Sequence, residues 1–590
     1  MPKNIILCAD GTGNQGGTTK DSNVYRVYQA INLHCESSEQ PPAVKQISFY
    51  DNGVGTDKNK YWKALTGAFG IGFRQNVTDL YTYLARHYQP GDDDQEADRV
   101  FLFGFSRGAA EVRALNGMIA AVGLIDGRNM PDAVLKEKVN DTLKKYMVTK
   151  PRKTLLEKTD GENHGSIEIE FLGVWDTVSA LGFPQKWPTK TVFLQLFSFL
   201  FWALDRIVDK FFIFKHLFYN YEITLNVKKA CHALAIDDQR LSFHPLVWDE
   251  NSKEARDTEI HQVWFPGMHS NVGGGYGRTD LSYVALKWML SHAVASGMVV
   301  CDGFLKEVND KANAAGILHN SRDGLAIFYR YTPRNLTKLS TDERTKKSKL
   351  KGEIQIHESG IERMKNRNQW YAPDALPRTF ERVETVPPGD ASKRGDKSKG
   401  TVQLDDDTYN TRHQEIAPVQ NRRIVLYSWF LEYVLLLVLL AFAFWNTHAI
   451  RKVADWLPPD VVVRFQEAKQ DVATTLSPIL VWPRPTGFLE LIANKLVLGI
   501  GELLKFVTPA MFDNFLNFAF TRFPLIGIAI IGLGLVMNYI KNHLRDKDHA
   551  NLVRLRDAWL TAIEESDLTS SPPSPTTSKS PVAPKNDSCL

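Results

Sequence analysis

Hydrophobic and polar positions divide the chain sharply. Up to about residue 330, short β-branched or aromatic runs alternate with amphipathic stretches. The pattern predicts strands at Asn4–Cys8, Ala43–Tyr50, Arg99–Phe103, Ile167–Val174 and Glu259–Phe265. Helices are predicted at Asn23–Cys35, Phe73–Tyr88, Ala109–Val122, Thr224–Asp237 and Ser282–Ser296. This alternation predicts an α/β fold, a mostly parallel sheet with helices on both faces. Several strands are almost continuously apolar, as burial of both faces requires.

The rest of the chain reads differently. Thr191–Leu204 is Phe- and Leu-rich but short for a bilayer span, so 185–222 reads as a hydrophobic lid or insertion, or as a buried helical pair. Residues 341–352 and 389–400 are Lys-rich and polar, and 386–420 reads as a linker. The run 424–445 is long enough to span a membrane, and 523–540 is a shorter second candidate within a helical region over 421–566. Arg422 and Arg423 before the first run and basic residues after the second would place both ends on the cytosolic side. Two buried helices of a soluble domain are the competing reading. The tail 567–590 is Ser/Pro/Thr-rich and expected to be disordered. The catalytic domain is expected over 1–385.

Charge and cysteine usage narrow the picture little. A net charge of +4 on 590 residues gives no reason to expect nucleic acid. Five scattered cysteines without CxxC spacing suggest neither a disulfide framework nor a zinc site. No cleavable leader is apparent after Met1, so synthesis in the cytoplasm followed by membrane association is expected, either as a multi-pass protein or as a secreted effector.

The chemistry centres on Gly104-Phe105-Ser106-Arg107-Gly108. GxSxG is weak alone, but here a strand precedes it and a helix follows, the arrangement of a nucleophile elbow. The helix start would place the Arg107 amide near a developing oxyanion. A serine nucleophile needs a base, and the base an orienting carboxylate. Asp176 ends the strand in Gly-Val-Trp-Asp-Thr, and His269 follows the next in a Gly-rich loop, so both stand at the sheet edge where ligands bind. His357 competes for the base. The loop Asp10-Gly11-Thr12-Gly13 would line the pocket or supply oxyanion amides. The run Cys8-Ala9-Asp10-Gly11-Thr12 also resembles the first motif of haloacid-dehalogenase phosphatases, but Cys8 replaces their nucleophilic aspartate.

Taken as a set, DGTGN, FLFGFSRGAAEVRAL, FLGVWDTVSALG, ALAIDDQR, VWFPGMHSNVGGGY and IHESGIERM…YAPDALP resemble an α/β-hydrolase family over about residues 4–380. Its best-understood members are type VI secretion lipase effectors. The resemblance implies an esterase or phospholipase with Ser106 as nucleophile and His269 as base. It also implies Asp176 as the acid, with Asp10 behind it, and no cofactor or metal. Expected partners are a phospholipid or other lipid ester, a membrane, a secretion apparatus and an immunity protein. Two positions depart from the family pattern: Asn271 and Tyr283 stand where aspartate is common. Three alternatives stay open: a tethered esterase acting on a soluble ester, a non-catalytic protein that keeps the fold, and a C-terminal pore or hairpin.

Overall fold

The structure, a computed structural model, describes residues 2–11, 21–32, 44–52, 68–92, 95–148, 163–178, 221–278, 280–322, 331–366, 371–386, 396–410, 414–426 and 549–567, with isolated positions between 532 and 543. Nine strands form one sheet: β1 (Asn4–Ala9), β2 (Gln46–Asp51), β3 (Arg99–Phe105), β4 (Ile169–Trp175), β5 (Val227–Ala235), β6 (Glu259–Phe265), β7 (Ile354–His357), β8 (Thr379–Thr385) and β9 (Asp396–Gln403). Their order is β2-β1-β3-β4-β5-β6-β7-β8-β9. Every neighbouring pair is parallel except β8 with β9. The predicted parallel α/β sheet is present.

Alternation along the strands builds two cores. Ile5, Leu7, Val100, Leu102, Leu172 and Val174 point to one face, under α2 (Ala68–His87), α3 (Arg107–Val122) and α4 (Asp132–Val148). Ile6, Cys8, Phe101, Phe103, Phe171 and Trp175 point to the other, under α1 (Asn23–Asn32) and α6 (Asp280–Ala295). Between them comes α5 (His269–Gly273), and after them α7 (Asp302–Lys311). Burial of both faces, at about 1.5–3 kcal/mol per large side chain, explains why these strands are apolar throughout.

Three expectations are corrected. Thr224–Asp237 contains the central strand β5 rather than a helix; Val-Lys-Lys-Ala-Cys-His-Ala-Leu-Ala is buried on both sides, so its apolar run carries no period of two to separate it from a helix. The segment 386–420, read as a linker, supplies β9, which pairs antiparallel with β8 despite its lysines because an edge strand tolerates charge. Cys301 is disulfide-bonded, which cysteine spacing does not reveal, while Cys8 and Cys231 are buried free thiols.

A third core joins β6–β9 to residues 549–567, where Trp559, Leu555 and Ile563 pack with Phe380 and Val402. Among the described residues no helix is long and apolar enough to cross a membrane. The runs 424–445 and 523–540 lie almost entirely outside the described residues, as do most of 185–222 and the tail from 568.

Candidate active site

The chain builds β1, moves outward to β2, then returns past β1 to β3. Such a reversal opens a crevice at the carboxyl ends of the strands. Asp10 follows β1, Ser106 follows β3 and Asp176 follows β4, so the topology brings them to one edge.

Ser106 occupies a backbone conformation that a non-glycine residue rarely adopts, with φ 58° and ψ −118°. Strain of this kind costs on the order of 1–3 kcal/mol and persists where surrounding structure imposes it. Here β3 runs directly into α3, and Gly108 lets the helix start approach the end of β1. A Cβ at Gly108 would stand 2.1 Å from the Ala9 carbonyl oxygen. Ser106 holds the N-cap position, yet its side chain makes no capping bond. Serine caps usually spend their hydroxyl on the helix amides; this one does not.

His269 opens α5, four residues past β6. Its Nδ1 lies 2.6 Å from Asp176 Oδ2. The ring is wedged between Phe105, at 4.6 Å between centroids, and Phe243, edge-on at 5.0 Å. Phe105 is the residue before Ser106, so the imidazole packs against the strand end that carries the serine. Its backbone amide donates to Asp238 Oδ2 at 3.2 Å. Burial lowers the His269 pKa, against the opposing pull of Asp176. The neutral ring, Nδ1–H toward the carboxylate, therefore leaves Nε2 as an acceptor.

Asp176 is fully buried and has a positive φ of 42°. Its Oδ1 accepts from the Ala235 amide at 3.0 Å. Arg334 grips the same carboxylate in a fork, Nη1 to Oδ1 at 2.7 Å and Nη2 to Oδ2 at 2.8 Å. Burial alone would raise the Asp176 pKa; Arg334 and His269 outweigh it and hold the carboxyl below the usual carboxylate range. The carboxylate is thus ionised and fixed in orientation.

The other predicted residues take distinct places. Arg107 is buried at the first position of α3. Asp10 braces its own loop: Oδ1 accepts from the Gly11 amide at 2.6 Å, and Oδ2 from Tyr50 at 2.7 Å and from the Ser22 hydroxyl. Thr12 and Gly13 lie outside the described residues. His357 bonds Ser359 and Thr385, each at 2.8 Å, at the start of another helix, and burial lowers its pKa to about 4. Cys8, at the phosphatase-nucleophile position, is buried, and burial raises its thiol pKa.

The two departures from the family pattern have their own partners. Asn271 donates to the Ile317 carbonyl at 2.9 Å and accepts from the His319 amide at 3.0 Å. Tyr283 packs in the core beneath the Arg26 guanidinium, 4.2 Å from its ring centroid. The His269 Nδ1 contact is supplied by Asp176 instead.

Two residues escaped the sequence reading. Arg334 follows a Tyr-Thr-Pro stretch with no local signature, and only the fold brings it to Asp176. Asp238 lies in the motif ALAIDDQR, whose second aspartate anchors both the His269 amide and Arg240.

Comparison with known proteins finds distant relatives. An uncharacterized Saccharomyces cerevisiae protein, YEL023C, is 22% identical over 428 residues, covering 54% of this chain and 60% of that one. The chain thus spans about 60% of that curated relative's length. Among solved structures, an uncharacterized protein from Pseudomonas aeruginosa shares 19% identity over 56% of this chain and 50% of that one, at a TM-score of 0.30. The Tle1 effector bound to the VgrG spike of the type 6 secretion system shares 18% over 47% and 52%, at 0.25. Residues 3–292, which carry Ser106, Asp176 and His269, match the family model for the catalytic domain of Tle1-like type VI secretion phospholipase effectors. That match covers just under half of the chain and marks its N-terminal part as similar to the Tle1-like family.

Proposed function

We propose that the chain is a serine-dependent carboxyl-ester hydrolase acting on phospholipids. The observation that carries the reading is the His269–Asp176 contact, on a ring packed against the strained turn that bears Ser106. Ser106 Oγ attacks the acyl carbonyl while His269 Nε2 takes its proton. Asp176 holds the imidazole and stabilises the imidazolium that forms. The tetrahedral oxyanion is met by amides at the start of α3, Arg107 first, while the Gly11 amide is spent on Asp10 Oδ1 and its turn only lines the crevice. His269 then passes the proton to the leaving alcohol, and water repeats the sequence on the acyl-enzyme. Nothing in this cycle calls for a metal or an organic cofactor.

The phospholipid as substrate rests on the family model that residues 3–292 match. Its place of action is then a membrane surface, with delivery by a type VI apparatus and neutralisation by an immunity protein as the corresponding partners. A non-catalytic role has less to recommend it, since Asn271 and Tyr283 do not leave His269 without an acid. Release of fatty acid from phospholipid vesicles, compared between the full chain and Ser106→Ala, tests the reading. Equal release by both overturns it.

A further inference from the structure

A second cluster of chemistry-bearing side chains lies outside the Ser106 site. His261 of β6, His292 of α6 and Asp396 at the start of β9 present donor atoms that all lie within 4.8 Å of one another. His261 Nδ1 is 3.1 Å from Asp396 Oδ2, and His292 Nε2 is 3.1 Å from Asp396 Oδ1. Neither approach is a hydrogen bond: Asp396 Oδ2 and both ring nitrogens of His292 are buried without a hydrogen-bond partner. His292 is completely buried. An imidazole in that position, with neither nitrogen satisfied, costs on the order of 1–3 kcal/mol per group unless something not yet named takes it up.

The surroundings describe what that is. His261 Nε2 lies 2.9 Å from Glu259 Oε1. With the proton on that nitrogen alone, Nδ1 turns its lone pair toward a carboxylate oxygen. Either a second proton on His261 or a cation between them removes that repulsion, but a proton there still leaves both nitrogens of His292 unsatisfied. A carboxylate on the far nitrogen of a histidine is the usual support of a metal-ligating imidazole. Trp288 Nε1 donates to Asp396 Oδ1 at 2.6 Å and fixes the carboxylate in the same way. Protonating both histidines instead would set two cations side by side, since the rings are 4.5 Å apart. With neutral histidines, Asp396, Glu259 and Lys229 (3.0 Å from Glu259) sum to one negative charge, which a cation relieves.

We propose that His261, His292 and Asp396 form a binding site for a divalent transition-metal ion, best matched by Zn²⁺, that fastens β9 to the sheet and to α6. Two imidazoles and one carboxylate exclude Mg²⁺ and Ca²⁺, which take oxygen ligands. Tetrahedral zinc, with ligands at about 2.0–2.1 Å, sets its donors about 3.3 Å apart, close to the spacing here. Asp396 lies beyond the matched family span of 3–292, so the ion would tie the strand that completes the sheet to the catalytic unit. The role is structural, and no step at Ser106 depends on it.

The test uses the full chain, purified without a polyhistidine tag, stripped with EDTA and then exposed to micromolar Zn²⁺ alone. One equivalent retained after gel filtration and a raised unfolding temperature are expected; no stoichiometric retention overturns the proposal. His292→Ala and Asp396→Asn should each lower the Zn²⁺ affinity at least 100-fold, whereas Trp288→Phe should still retain one equivalent. Undiminished binding by the two ligand variants overturns it. Should those variants not fold, X-ray absorption on the Zn²⁺-loaded natural chain decides: two imidazoles and oxygen support the site, and sulfur scattering overturns it. Fluorophosphonate labelling of Ser106, measured with and without Zn²⁺, reports on the hydrolase reading separately.

Discussion

The Arg334 guanidinium holds both oxygens of Asp176, one of which also meets His269 Nδ1. The acid of the proposed triad is therefore clamped on both of its oxygens by one cation. Arg334 also donates to the Ala235 and Phe243 carbonyls, so the clamp is tied to the end of β5. Removing one partner of a buried pair leaves the other charge uncompensated, at about 3–5 kcal/mol. Arg334→Gln should destabilise the fold by that order in denaturant melts. It should also lower ester turnover at least tenfold under conditions where the variant is folded. Arg334→Lys, which lacks the planar fork, should fall between.

The same clamp sets an acid dependence. Asp176 has a folded pKa below its unfolded value, so its contribution to stability is complete above the ordinary carboxylate range and is lost as pH falls toward the folded value. Asp176→Asn should flatten this part of the stability–pH profile measured by chemical denaturation. Its effect on turnover should be larger, by analogy about 10⁴-fold, because the amide no longer imposes the right imidazole tautomer.

His269 gives a second pH signature. Burial holds its pKa below the ordinary histidine value despite Asp176, so the neutral base persists into mildly acidic solution. The acid limb of kcat/KM should therefore turn below pH about 6.5, the unperturbed histidine value. A limb centred above that value would contradict the assignment.

Gly273 offers a test by shape alone. A Cβ there would fall 2.0 Å from the Phe105 ring, the same ring that packs on His269. Gly273→Ala must displace Phe105, and with it the imidazole. Turnover on vesicles should drop at least tenfold, with about 1–3 kcal/mol lost in stability from overpacking.

Much of the site is legible in the sequence because each of its three residues follows a strand end. Gly-Phe-Ser-Arg-Gly, Val-Trp-Asp-Thr and Pro-Gly-Met-His sit where apolar runs stop, and a parallel sheet gathers such points on one edge. β5 was hidden because burial on both faces erases the alternation that marks a strand, and β9 because its charge resembles a linker's. Arg334 was hidden for another reason. Its partner stands 158 residues away, and no local pattern records a contact made only by folding. The cluster of His261, His292 and Asp396 is equally invisible, since its members come from three separate elements.

The central claim is that Ser106 is the nucleophile, and covalent labelling tests it most directly. The full chain should react with a fluorophosphonate, with the adduct mapped by mass spectrometry to Ser106 and abolished in Ser106→Ala. Loss of vesicle hydrolysis should parallel the labelling. A folded protein that hydrolyses phospholipid yet carries no adduct at Ser106, or an Ala variant of undiminished turnover, would contradict the account.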